Sequence, residues 1–321
     1  MSIITILICH SILNFIFLFF FDHFKQIINV YDYPDGIRKQ HSKPVPLIGG
    51  YLFLINTILF FFLKGFLLSE LELKILTCAS FFLFVGIIDD KYNLSPYIKF
   101  FFLIIFLLIF FTLTDNMILE KITIYKYSII LSKNFGIFFS ILCVLLFVNA
   151  FNLFDGINLQ SSIYGLFILI FLVLKGFFFE IIIISIIPLL IIIYLNYKNL
   201  IFMGDSGTLF LGSFISLIII ANYTEFKSIT VDEIFLLMFI PGVDMLRLFF
   251  QRIFTKKNPF LGDREHLHHY FLSIYNYKTA IISILLISTL PTILNIFLVS
   301  GYIIVLFVIF YLFLIYFLKK N

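Results

Sequence analysis

Apolar residues run along this chain in long blocks separated by short polar turns. The blocks fall at about 3–22, 46–63, 75–88, 98–114, 135–151, 162–175, 180–196, 207–222, 233–250, 279–298 and 301–318. Most approach the roughly 20 residues that an α-helix needs to cross the hydrocarbon core of a bilayer; the third and sixth are short. Backbone groups in lipid must be satisfied within the segment or by a closed barrel, and these blocks lack the alternation of barrel strands. The pattern therefore predicts an all-α integral membrane protein of about eleven transmembrane helices. The count is ten if the weak break at Lys175, Gly176 and Glu180 does not separate two spans. The first block has no basic segment before it and no small-residue cleavage site, so it reads as a retained span rather than a signal peptide. Between Asp115 and Asn134, alternation at Ile122, Ile124, Tyr127 and Ile129 predicts a short hairpin. No stretch has the composition of a separate soluble unit, so residues 1–321 read as one polytopic domain.

Composition removes the soluble alternative. The chain is 62% apolar and 12% charged, whereas a soluble domain is about a quarter charged. Cys9, Cys78 and Cys143 all lie within apolar blocks, where they read as small buried hydrophobes with no metal spacing and no disulfide framework. Charge then sets the orientation. An odd number of spans places the termini on opposite faces. One face takes loops 23–45, 89–97, 152–161, 197–206 and 251–278 with the C-terminus, and carries 15 of the Lys and Arg residues; the other carries seven. The positive-inside rule makes the first face cytoplasmic, with the N-terminus outside and the C-terminus inside.

The unusual polar clusters all lie on that cytoplasmic face, which predicts a single shared site there. Asp89 and Asp90 close the third span; adjacent carboxylates at a membrane boundary are costly, and point to a cation or proton site. Asn149, Asn152 and Asp155 recur every third residue, roughly on one side of a helix, and are followed by Gly156 and Asn158. Oxygen donors of this kind suit a hard cation such as Mg²⁺, although helix capping would also use them. Phe202-Met203-Gly204-Asp205-Ser206-Gly207 sets an acid and a hydroxyl at a helix start, fit for an N-cap, a metal or a phosphate. The longest cytoplasmic loop holds Arg252, Lys256, Lys257, Asp263, Arg264, Glu265, His266, His268 and His269. Arginines with histidines match a polyphosphate better than zinc, because guanidinium groups bind phosphate oxygens bidentately. A fifth, basic and turn-rich stretch runs from Asp32 to Gly50 and includes Arg38, Lys39, His41 and Lys43. Oxygen donors for a divalent metal and cations for phosphates, at a membrane face, indicate phosphoryl transfer. On the residues alone, a transporter and a phospholipid-making phosphotransferase stay open as alternatives. Nothing in the charge pattern calls for a nucleic acid.

These motifs, in this order from about Asp32 to His269, resemble the polyprenyl-phosphate N-acetylhexosamine-1-phosphate transferases of the WecA/MraY type. The Asp263-Arg264-Glu265-His266-Leu267-His268-His269 run is similar to the WecA branch rather than the peptidoglycan MraY branch. The resemblance implies transfer of a sugar-1-phosphate from a UDP-N-acetylhexosamine to undecaprenyl phosphate in a bacterial inner membrane, with release of UMP. It implies Mg²⁺, or Mn²⁺ in its place, held by Asp205 and Asn152. It places Asp89, Asp90, Asp155, His266, His268 and His269 in the catalytic machinery. Lys43, Asn149, Asn158, Phe202, Arg252 and Arg264 fall on substrate, Phe202 as the aromatic that stacks on uracil. A homodimer is compatible with it. Two departures stand out: Asn158 replaces an acid common in the family, and Asn93 replaces a frequent third acid after the aspartate pair.

Overall fold

The computed structural model describes residues 2–34, 43–124, 127–258 and 264–320. Helix α1 (Ile3–Phe19) starts where the Ser2 hydroxyl accepts the Thr5 N–H, and α2 (Phe21–Ile28) leaves it at 79°. The predicted first span thus ends a little early. Strand β1 (Tyr31–Asp32) pairs antiparallel with β2 (Val45–Pro46) and leads into α3 (Gly49–Lys64). A reciprocal Ser69–Glu72 capping box opens α4 (Glu70–Tyr92), and Asn93 at φ 49° ends it. The Ser95 side chain caps α5 (Pro96–Thr112), whose first residue is a proline that needs no N–H there. The expected hairpin is present as β3 (Lys121–Ile124) against β4 (Tyr127–Ile130).

Helices α6 (Lys133–Phe154), α7 (Gln160–Leu174), α8 (Phe179–Tyr197) and α9 (Gly204–Thr224) follow. The doubtful break between the sixth and seventh blocks is real: Gly176 and Phe178 take positive φ between α7 and α8. The predicted span at 233–250 needs correction, because it is two helices, α10 (Val231–Leu237) and α11 (Phe239–Phe254). Met238 leaves helical geometry between them, and the Tyr164 hydroxyl donates to the Leu237 carbonyl at the break. Pro241 sits in the first turn of α11, where its missing N–H costs nothing. Helix α12 (Leu267–Ile274) carries the histidine segment, and α13 (Tyr277–Leu294) and α14 (Ser300–Lys320) complete the chain.

Among the described residues, α4, α6, α8, α9, α13 and α14 are long and apolar enough to cross a bilayer, and α1 with α2 makes a seventh if the bent pair is one span. Helices α3, α5 and α7 are apolar but shorter. The chain is an all-α multi-pass membrane protein. Its axis is α9, of whose most apolar stretch 89% is buried, with α3, α4, α6 and α7 packed around it. Gly86 permits the closest approach: a Cβ there would lie 2.4 Å from Ser206 Cα. Helices α13 and α14 are peripheral and turn large apolar side chains such as Leu286 and Phe313 outward, as lipid contact requires. The N-termini of α5, α7, α9 and α13 meet the C-termini of α4, α6 and α8 at one end of this bundle, and the polar clusters gather there.

Candidate active site

The N-terminus of α9 organises the site. Gly204 takes φ +71°, which brings the first turn of α9 down onto α4; a Cβ at Gly204 would lie 2.7 Å from Asp90 Oδ2. Asp90 spends both carboxylate oxygens on that turn. It accepts the Asp205 N–H at 2.7 Å, the Ser206 N–H at 3.0 Å and the Ser206 hydroxyl at 2.6 Å. It therefore caps α9 from a neighbouring helix, with negative charge at the positive end of the dipole. Asp89 turns the other way. It accepts the Leu94 N–H at 2.8 Å, which closes the turn between α4 and α5, and Lys99 Nζ at 2.6 Å. Lys99 also reaches Asp205 Oδ2 at 2.8 Å, while Asn152 donates to Asp205 Oδ1 at 2.8 Å and to Thr208 at 2.7 Å. Four helices thus converge on one Asp89–Lys99–Asp205–Asn152 cluster.

Opposite this cluster stands the histidine segment. Gly156 leaves room for His268: a Cβ at that glycine would fall 2.0 Å from the imidazole. The rings of His266 and His268 stack at 5.5 Å, and His268 meets His269 at 4.2 Å. Burial, reinforced by its two histidine neighbours, holds the His268 imidazole well below the ordinary histidine range, so it is neutral at pH 7. Asp155 caps the C-terminus of α6 and accepts the Ser161 hydroxyl. Burial pushes its carboxyl up to about 6, and the nearby Asp205 charge adds to the rise.

Between the two walls lies a cavity of about 980 Å³. Of the residues expected in the site, Asp89, Asp90, Asn152, Asp155, Asn158, Phe202, Asp205, Arg264, His266, His268 and His269 all line it. Asn158 donates to Asn199 Oδ1 at 2.6 Å, and its carbonyl accepts the Tyr277 hydroxyl at 2.6 Å. Three expected residues are not among the described residues that line this space. Asn149 turns its amide onto Met245 Sδ at 3.3 Å. A three-residue step on a helix drifts by about 60°, so the stripe through Asn149, Asn152 and Asp155 does not keep to one face. Arg252 is buried near the end of α11, and Lys43 is exposed beside β2. Arg38, Lys39, His41 and Asp263 lie outside the described residues. Sequence reasoning missed Lys99 altogether. It is a lone cation in the first turn of an apolar helix, ten residues beyond Asp89 and in no recognisable motif.

Comparison with known proteins fits this geometry. Residues 73–223 match the profile of Glycosyl transferase family 4, a segment that includes the aspartate pair, Lys99, Asn152, Asp155 and Asp205. The chain is 28% identical over 259 residues to the probable undecaprenyl-phosphate N-acetylglucosaminyl 1-phosphate transferase of Bacillus subtilis (strain 168), covering 75% of this chain and 69% of that protein. It is 29% identical over 253 residues to the undecaprenyl-phosphate alpha-N-acetylglucosaminyl 1-phosphate transferase of Thermotoga maritima, covering 78% and 76%. It is 25% identical over 297 residues to the protein of that name in Escherichia coli (strain K12), covering 84% and 76%.

Residues 73–223 of the chain thus resemble glycosyl transferase family 4. The matched relatives are named as 1-phosphate transferases, and enzymes of glycosyl transferase family 4 are generally Mg²⁺-dependent. The donors here suit that ion. Among the described residues no three histidine, cysteine or acidic side chains close on one point. Mg²⁺ is usually bound by one or two carboxylates and completes its shell with substrate phosphates and water. Asp205 with Asn152, beside Asp89, offers that partial set.

Proposed function

We propose that this protein moves an N-acetylhexosamine-1-phosphate from a UDP-sugar onto undecaprenyl phosphate, releasing UMP and starting a lipid-linked envelope glycan. In this reading the chain is one polytopic domain of a bacterial inner membrane, with its motif-bearing core at 32–269. Its N-terminus lies outside, and its C-terminus and cavity are cytoplasmic. The observation that carries the proposal is the meeting of Asp89, Asn152 and Asp205, linked through Lys99, on a cavity that three histidines also line.

The reaction is a single displacement. An oxygen of the polyprenyl phosphate bonds to the β-phosphorus of the donor, the bond from that phosphorus to the bridging oxygen breaks, and the bridging oxygen leaves with UMP. A phosphate monoester with a second pKa near ~6 is already mostly dianionic at neutral pH. Orientation and charge neutralisation therefore outweigh proton removal. Asp89, fixed by Lys99 and by the Leu94 N–H, orients the acceptor. Asp90, with both oxygens on α9, positions Asp205. Asp205 and Asn152 would hold the divalent cation, which would offset the charge of the diphosphate. Lys99 supplies a resident positive charge between Asp89 and Asp205. Arg264 and the neutral His268, with its neighbours, line the donor's side, and Phe202 offers a ring for uracil.

Mass spectrometry of the lipid product tests this. Purified protein with undecaprenyl phosphate, Mg²⁺ and a panel of UDP-N-acetylhexosamines should yield the polyprenyl diphospho-sugar with at least one donor. A folded protein that makes no such lipid from any donor would refute the proposal.

A further inference from the structure

The histidine segment is gripped from behind by a buried polar knot that no sequence motif announces. Asp244, on α11, is 6% exposed. Its Oδ2 faces His266 Nδ1 at 3.1 Å and accepts the Leu267 N–H at 3.2 Å. Its Oδ1 accepts the Tyr311 hydroxyl at 2.7 Å and Arg247 Nη2 at 2.7 Å. Arg247 also donates through Nε to the Tyr311 oxygen at 2.9 Å and through Nη2 to the Glu265 carbonyl at 2.6 Å. Tyr311 lies on α14 and is 1% exposed.

The chemistry of this knot has a direction. Arg247, Tyr311 and the Leu267 N–H all donate to the Asp244 carboxylate, which can only accept. His266 therefore presents a protonated Nδ1 to it, and Nε2 is the ring atom left for the cavity that His266 lines. Asp244 also supplies the cap for α12, because His266, at the capping position, makes no side-chain cap bond of its own. A plain brace between α11 and α14 would need only Arg247 and Oδ1; the second oxygen is committed to the imidazole and to the start of its helix.

We propose that Asp244, braced by Arg247 and Tyr311, is a positioning residue that fixes the tautomer and ring orientation of His266 toward the substrate diphosphate. The C-terminal helix, which lies beyond the segment matched by the family, is thereby part of the active-site machinery. The proposal rests on the functional reading above for what His266 faces.

Two measurements test it and separate its failure from failure of that reading. The first is a double-mutant cycle on turnover. Tyr311→Phe keeps the ring and removes only the hydroxyl. It should lower kcat about 10-fold, the lower end of what loss of an orienting partner costs, and leave the donor KM nearly unchanged. In a His266→Ala background the same substitution should cost less than about 2-fold. Independent losses that multiply would make the knot a general brace and overturn the proposal. The second needs no turnover: ¹⁵N spectra of imidazole-labelled protein, with His266 assigned through its loss in His266→Gln. Wild type should show His266 protonated at Nδ1, and Asp244→Asn should redistribute that proton. A bare Nδ1 in wild type, or an unchanged spectrum in Asp244→Asn, would overturn it, even where Tyr311→Phe does not fold. A wild type that turns over no donor but keeps the Nδ1–H signal would fault the functional reading and leave the clamp standing.

Discussion

The two ends of the helix bundle handle charge in opposite ways. At the end away from the cavity, lysines meet single acids: Lys133 with Asp115 at 2.8 Å, Lys175 with Glu233 at 2.6 Å, and Lys64 with Glu180. Each pair joins neighbouring elements, and the Ser69–Glu72 and Thr230–Glu233 capping boxes close the helices there. At the cavity end, Asp89 and Asp205 share Lys99, Asp90 caps the first turn of α9, and Asp155 lines the same cavity. Two acids there share one lysine, whereas each lysine at the other end meets one acid. One end is closed for stability and the other is held open for chemistry.

The largest effect expected from breaking this contrast is at Asp205. Asp205→Asn should reduce turnover by about 10³-fold, comparable to removing a key electrostatic contact in other enzymes, with melting in detergent little changed. Next is Lys99→Met, which leaves Asp89 and Asp205 facing each other. It should lower activity less than Asp205→Asn does and also destabilise the fold by about 3–5 kcal/mol, the usual cost of stranding a buried charge, read as a drop in melting temperature. Asp90→Ala removes a cap rather than a reacting group. About 1–2 kcal/mol of stability should go, and activity should fall because Asp205 is no longer held. At the opposite end, Lys175→Ala should lower the melting temperature but leave turnover of the folded protein unchanged. A large activity loss there would erase the distinction between the two ends.

The smallest effect is a pH dependence. The folded state holds the Asp155 proton more tightly than the unfolded chain does, because the carboxyl is pushed up to about 6. Its contribution to stability is therefore greatest at low pH and is lost as pH rises toward about 6. Asp155→Asn should flatten the melting temperature over that window relative to wild type, and a steeper dependence in the variant would contradict the assignment.

Much of this was legible in the residues. Apolar blocks marked the helices, and polar clusters confined to one set of loops foretold one shared cavity. What escaped were single polar residues inside apolar helices. Lys99, Asp244, Arg247 and Tyr311 carry no motif, and only tertiary packing brings Lys99 to Asp205 or Tyr311 to Asp244. The break at Met238 was hidden for a related reason: α10 and α11 share one apolar run, and the capping that separates them comes from Tyr164 on a distant helix. Asp90 lines the cavity with the other clusters, but its commitment to the backbone of α9 could be seen only in three dimensions.

The most direct test of the central claim is UMP release by detergent-purified wild-type protein, with and without undecaprenyl phosphate and with and without Mg²⁺, across a panel of UDP-N-acetylhexosamines. UMP that appears only when lipid and metal are both present is the predicted result. UMP formed equally well without the lipid, or no UMP from folded protein with any donor, would contradict the account.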